Sequence, residues 1–239
     1  MDFSTFEKTR SNFYKNYYNV FSFGQHDFNK LHNLGKIVEE KLLNKQPPVT
    51  DPWECRLFVG IDPGYSGAIA VLDDSGEFLE IFDMPVCHKV YQRKRKVKEN
   101  DTRKRRKILA KDYDIFSINY MLQKFLTTQH TICVGIERVP PRIGRALTMG
   151  DVRIYAGWKM WHLGLLAYDF DFENVSPCVW RRHFGIPKRI KELSLHKARN
   201  LYPSCPYLGR QKDHNRAEAI LVARWMFDFV KDSKNKKKE

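Results

Sequence analysis

Apolar and polar positions change period along this chain, and the changes divide it into elements. From residue 56 three short strand-like runs, 56–62, 67–72 and 78–84, are separated by Pro-Gly-Tyr-Ser-Gly and Asp-Asp-Ser-Gly turns, which predicts an antiparallel meander. Ile115, Ile118, Leu122, Phe125 and Leu126 then recur at helical spacing, predicting a helix over 115–126. The continuous apolar run 131–137 follows as a buried fourth strand, so the three elements form a β–α–β crossover. Aromatic and small residues over 148–168 predict a long helix, followed by a short strand at 172–176 and a helical turn around Trp180. Helices near 193–202 and from 213 to about 230 complete the pattern. A meander followed by alternating helices and strands implies an α/β fold, with a mixed sheet covered by helices on both faces.

The first fifty residues have a different texture. They hold nine Phe or Tyr, then a helical apolar series at Leu31, Leu34, Val38 and Leu42, and close at Pro47-Pro48. One or two amphipathic helices ended by a proline linker are expected, so 1–50 reads as a helical N-terminal extension. It must pack on something, whether the domain itself, a second copy or nucleic acid. The main domain is expected over 51–231, with a basic insertion at about 88–111 and a basic tail over 232–239.

Charge narrows the partners. The 239 residues carry 42 Lys plus Arg against 28 Asp plus Glu, a formal net charge of +14, which suits a polyanion such as nucleic acid. Residues 89–111 hold twelve Lys or Arg against Glu99 and Asp101, so this one stretch, read as a loop, supplies +10 of the excess. The five cysteines are odd in number, widely spaced and free of C-x-x-C pairs, which indicates neither a disulfide framework nor a zinc site and predicts a reducing, intracellular compartment. No apolar run reaches membrane-span length, and early acids argue against a signal or import segment despite basic and aromatic residues 8–18.

Three carboxylates carry the candidate chemistry: Asp62 after the first strand, Glu137 at the end of the fourth, and Glu218 in the last helix. Each interrupts or follows apolar sequence, where an unpaired charge is expensive, and a shared divalent metal would account for all three. Two such ions about 4 Å apart can drive phosphodiester hydrolysis, and Asp62, with two oxygens beside an exposing Pro-Gly turn, can bridge them. His214 lies four residues before Glu218, on the same helix face, and offers a fourth ligand. Plainer roles exist for each: a turn residue or cap for Asp62, a strand-end charge for Glu137, a local hydrogen bond for His214. Asp213 reads as the cap of the last helix, since five residues of separation turn it away from Glu218.

Gly60-Ile61-Asp62-Pro63-Gly64 with Ser66-Gly67-Ala68, Ile136-Glu137, Ser176-Pro177 with Trp180 and His183-Phe184-Gly185, and Lys212-Asp213-His214-x-Arg216-Ala217-Glu218-Ala219 together resemble the RuvC-like Holliday-junction resolvases. The branch containing the plant chloroplast resolvase and phage-encoded relatives is the most similar. The resemblance spans about 56–230 and implies a ribonuclease H-like fold, a homodimer, and paired nicks across four-way branched DNA. It implies Mg²⁺, with Mn²⁺ substituting, two ions per site, and catalytic metal ligands at Asp62, Glu137, Glu218 and His214, supported by Asp213 and Lys212. The segment 140–150 departs from the Gly-Gln-Gly and Ser-Met-Phe-like stretch of many relatives, so no cleavage-sequence preference is implied. Other nucleases of this fold, acting on flaps, forks or RNA–DNA hybrids, and a non-catalytic junction-binding protein are the alternatives. The compartment stays open between a bacterial or phage-infected cytoplasm and an organelle.

Arg142 and Arg145 follow Glu137 closely enough to bring positive charge to phosphates beside the acids. Arg93, Lys94, Arg95, Lys96, Arg103, Lys104, Arg105 and Arg106 are expected to bind duplex arms, with a localisation signal or a solvated loop as the other readings. Tyr155, Trp158 and Trp161 share one side of the long helix, for a core or dimer seam or for base stacking, and Gly157 and Gly164 would let another element approach it.

Overall fold

The structure, a computed structural model, describes residues 57–92, 107–126, 131–139, 148–187 and 190–236, together with Ser4, Val20, Phe21, Asn29, Lys30, Asn33 and Lys36. Strand β1 is Val20–Phe21, and the main sheet begins with β2 (Leu57–Ile61), β3 (Ala68–Leu72) and β4 (Phe78–Asp83). Strands β5 (Val86–Gln92) and β6 (Lys107–Tyr113) lead to helix α1 (Ile115–Leu126) and strand β7 (Ile132–Glu137). Helix α2 (Met149–Ala167), strand β8 (Phe172–Val175), helix α3 (Pro177–His183), helix α4 (Lys191–Leu201) and helix α5 (His214–Lys236) follow.

The main sheet has the order β4-β3-β2-β7-β8. Strands β2, β3 and β4 pair antiparallel, whereas β7 runs parallel to β2 and β8 parallel to β7. This is the mixed sheet covered by helices that the sequence predicts. Alternation along β2 explains the two layers: Leu57, Val59 and Ile61 face a core shared with Ile118 and Met121 of α1 and Trp161 of α2. Phe58 faces the other core, with Trp180, Leu195, Ala219 and Ala223 of α3, α4 and α5. Each fully buried Leu, Ile, Val or Phe in these layers contributes about 1.5–3 kcal/mol relative to exposure.

Glycine and alanine set how closely α5 lies on the sheet. A Cβ on Gly60 would stand 2.1 Å from the backbone oxygen of Ala219 and 2.3 Å from the backbone nitrogen of Ala223. A Cβ on Gly135 of β7 would meet Met226 at 2.7 Å. The helix backbone therefore rests directly on the central strands. The two glycines of α2 act similarly, Gly164 against Leu122 of α1 and Gly157 against the ring of Tyr113. Trp158 and Trp161 are core residues, while Tyr155 is exposed.

Three expectations are corrected. The basic stretch is not a plain loop: β5 and β6 pair antiparallel from Val86↔Tyr113 to Gln92↔Lys107, making a ribbon. Its apolar residues come in adjacent pairs, Val90-Tyr91 and Ile108-Leu109, among many charges, so the period-two signal of a strand is missing. In the N-terminal extension the described residues Asn29, Lys30, Asn33 and Lys36 are helical as expected, but Val20–Phe21 forms an unforeseen strand on β5, giving the second sheet β1-β5-β6. Cys133 stands in a disulfide, whereas Cys87, Cys178 and Cys205 are free; a bond requires two cysteines close in space, which their spacing in the sequence does not report. The extension also touches the domain through Lys30, which donates to the Ile81 carbonyl at 2.8 Å, pairs with Glu80 at 3.2 Å and lies 4.3 Å from the Tyr207 ring centroid.

Candidate active site

The parallel pairing of β2 and β7 brings two acids to one sheet end. Ile61 is in register with Ile136, so the next residues, Asp62 and Glu137, lie on neighbouring strand ends. The alternation that turns Ile61 and Ile136 toward α1 and α2 turns these two carboxylates toward α5. There Glu218 precedes Ala219, the residue seated on Gly60, and is itself buried. His214 is half-buried at the start of the same helix. The three acids singled out from the sequence thus approach one another from β2, β7 and α5.

The turn after β2 is built around Asp62. Its Oδ1 accepts from the Gly64 N–H at 3.1 Å, its N–H continues the ladder to the Ala68 carbonyl, and the Gly67 N–H closes the turn on the Gly64 carbonyl. Gly67 is required, because a Cβ there would lie 2.0 Å from the Asp62 carbonyl oxygen. Tyr113, at the base of the ribbon, donates to the Pro63 carbonyl at 2.8 Å and packs on Tyr65. Burial first, then Tyr65, Asp62 and Asp112, push the Tyr113 phenol far above its ordinary value, so it remains a donor.

The start of α5 is pinned to the same turn. Asn215 Nδ2 donates to the Ser66 carbonyl at 2.7 Å, and Arg216 binds both oxygens of Asp83 at 2.7 and 2.6 Å. Asp213 is buried and does not cap α5 as expected. Its carboxylate closes the preceding 3₁₀ turn, accepting from the Arg210 N–H at 2.7 Å and from the Arg210 guanidinium at 2.8 Å. Burial works against ionising Asp213, but the hydrogen bonds and charge of Arg210, with Arg216, hold it below the usual carboxylate range. Lys212 is exposed.

Helix α3 supplies contacts that the sequence pattern did not assign. It follows β8 with Pro177 at its first position, where the missing N–H is harmless. Trp180 Nε1 donates to Glu137 Oε1 at 3.2 Å, and Arg181 Nη2 donates to Glu218 Oε1 at 2.8 Å. The Ser194 hydroxyl reaches the same Glu218 oxygen at 3.4 Å, a weak contact. The Glu137 carboxyl is pushed up to about 8 by burial first, then by the charges of Asp62 and Glu218, against the Trp180 bond and Arg181. Hard oxygen donors repelling one another in a buried place fit a divalent cation in their chemistry. Among the described residues, however, no three His, Cys, Asp or Glu side chains are drawn together closely enough to hold an ion as they stand.

No family model matches the chain, and no curated protein matches it. Among solved structures it is similar to Thermus thermophilus RuvC in complex with a Holliday junction substrate, with a TM-score of 0.41 and 10% identity over 74% of this chain and 96% of that one. The Thermus thermophilus RuvC structure matches with a TM-score of 0.40 and 11% identity over 75% and 96%. Likeness at this level says nothing about chemistry, which rests on the residues above. Arg142 and Arg145, and the eight basic residues Arg93, Lys94, Arg95, Lys96, Arg103, Lys104, Arg105 and Arg106, lie outside the described residues. No helix among the described residues is long and apolar enough to cross a membrane.

Proposed function

We propose that the chain is a metal-dependent, structure-specific endonuclease that resolves four-way DNA junctions by paired nicks. The observation that carries this reading is the delivery of Asp62, Glu137 and Glu218 to one sheet end, on the face covered by α5. Asp62, Glu137, Glu218 and His214 would hold two Mg²⁺ or Mn²⁺ ions, which when bound activate water and stabilise the charge on the leaving oxygen. Trp180 orients Glu137 by its hydrogen bond, and Asn215 and Arg216 fix the helix start that carries His214. His214 would either complete the ligand set as a neutral imidazole or position the attacking water. Arg142, Arg145 and the basic stretch between β5 and β6 would bind the phosphates of the arms.

A homodimer suits a junction, which offers two symmetry-related scissile phosphates. Exposed Val152, Tyr155, Leu163 and Leu166 along α2 supply apolar surface for it. The test is cleavage of end-labelled synthetic four-way junctions in Mg²⁺, beside matched flap, fork and RNA–DNA hybrid substrates. Symmetric nicks at the junction are expected, with Asp62→Asn cutting at least ~10³-fold more slowly while junction binding is retained. Preferential cutting of another substrate would assign a different nuclease of this fold. Tight junction binding without cutting in Mg²⁺ or Mn²⁺ would make the protein a junction-binding one.

A further inference from the structure

Consecutive side chains of α3 engage two of the three carboxylates. Trp180 binds Glu137, while Arg181 binds Glu218 at 2.8 Å, and the Arg181 guanidinium lies 5.0 Å from the Trp180 ring centroid. A monovalent cation therefore already sits on an acid that the proposed metal site needs. Its seat is incomplete: Arg181 Nε is buried with no hydrogen-bond partner, and a buried donor left unmade is penalised. A purely structural ion pair would be expected to satisfy that group. The Arg181 side chain keeps 21% of its exposure and Glu218 only 7%, so the guanidinium is the partner with a way out. Glu218 turned toward Arg181 also explains why the acids do not close around one point.

We infer that Arg181 is a positioning residue that holds Glu218 in place of an ion and is displaced from it when a divalent cation loads. The inference rests on the metal-dependent reading above and adds a competition to it. A guanidinium and a divalent cation on one buried carboxylate repel each other, so loading opposes the 2.8 Å contact on Glu218 Oε1. The free energy of that contact is subtracted from metal affinity. Arg181 thus has two effects of opposite sign, stabilising the ion-free protein and weakening its grip on metal. A merely structural arginine would have only the first, and its loss would loosen the metal site as well.

The test is Mn²⁺ titration calorimetry, with thermal melts in EDTA and in Mn²⁺, on the full chain and on Arg181→Gln, Arg181→Lys and Asp62→Asn. Arg181→Gln should bind Mn²⁺ about tenfold more tightly, melt lower in EDTA, and gain more from saturating Mn²⁺ than the unaltered protein. Arg181→Lys keeps the charge but loses the planar fork, so it should fold and bind Mn²⁺ roughly threefold more tightly, which preserves the test if Arg181→Gln does not fold. Equal or weaker Mn²⁺ binding by the Arg181 variants, with binding by the unaltered protein still lost in Asp62→Asn, overturns the competition alone. Mn²⁺ binding that is absent throughout, or indifferent to Asp62→Asn, overturns the metal site and the competition with it.

Discussion

Glu137 is held against a carboxylate's ordinary tendency to ionise. Burial first, then Asp62 and Glu218, push it up to about 8 from 4.5. The folded protein therefore binds a proton at Glu137 over a range in which the unfolded chain has released it. Its contribution to stability is fully present below about 4.5 and is lost as pH rises through about 8. In EDTA the melting temperature should fall by roughly 5–10 °C between about pH 5 and 8.5, and Glu137→Gln should flatten most of that fall. Identical pH profiles for the two proteins in a melting series would refute the assignment. The three acids were legible in the sequence because each breaks an apolar run, where a charge stands out. Arg181 was not, since one more basic residue in Trp180-Arg181-Arg182-His183 carries no contrast in a chain of net charge +14.

At the scale of elements, the site depends on how α5 is laid across β2. Ala219 and Ala223 rest their backbone on Gly60, which positions Glu218 above the strand end that carries Asp62. Gly60→Ala places a methyl 2.1 Å from a backbone oxygen, and backbone cannot rotate aside as a flexible side chain would. The variant should lose at least ~3 kcal/mol in urea unfolding, and any folded fraction should cut junctions poorly because α5 has been lifted. An unchanged unfolding midpoint would show that the helix has room to move. Several regular elements were legible to within a residue or two: the helix expected over 115–126 is Ile115–Leu126, and the one expected over 148–168 is Met149–Ala167, but the last helix, expected to end near 230, runs on to Lys236 through part of the stretch expected as a tail. Helix periodicity survives because it is read over several turns. The strands of the ribbon did not show, since Val86–Gln92 and Lys107–Tyr113 group their apolar residues in adjacent pairs and flank many Lys and Arg, so no period-two alternation stands out.

The whole molecule joins a compact acidic site to a strongly basic stretch of sequence between β5 and β6. The ribbon leaves the main domain after β4, returns at Tyr113, and is tied there to the Asp62 turn by the hydrogen bond to Pro63. Gly157 of α2 packs on the same tyrosine ring, so ribbon base, long helix and active-site turn meet at one side chain. Phosphates gripped by residues 93–106 would thus be held on an element anchored to the Asp62 turn. That segment carries nine Lys or Arg against two acids, a large share of the +14. Because Gln92 pairs directly with Lys107, replacing 93–106 by Asn-Gly leaves a two-residue hairpin loop that suits the strand register. For every phosphate the shortened ribbon no longer neutralises, the slope of log binding constant against log salt should diminish by about 0.9. If half of the nine cations touch phosphates, the slope for junction binding should become shallower by about 4, measured by titration at several salt concentrations. Nicking under saturating enzyme should persist, since the acids and the Tyr113 bond remain. An unchanged salt slope would mean that the basic stretch does not touch DNA. A protein that binds normally but no longer nicks would instead make the ribbon part of the catalytic machinery.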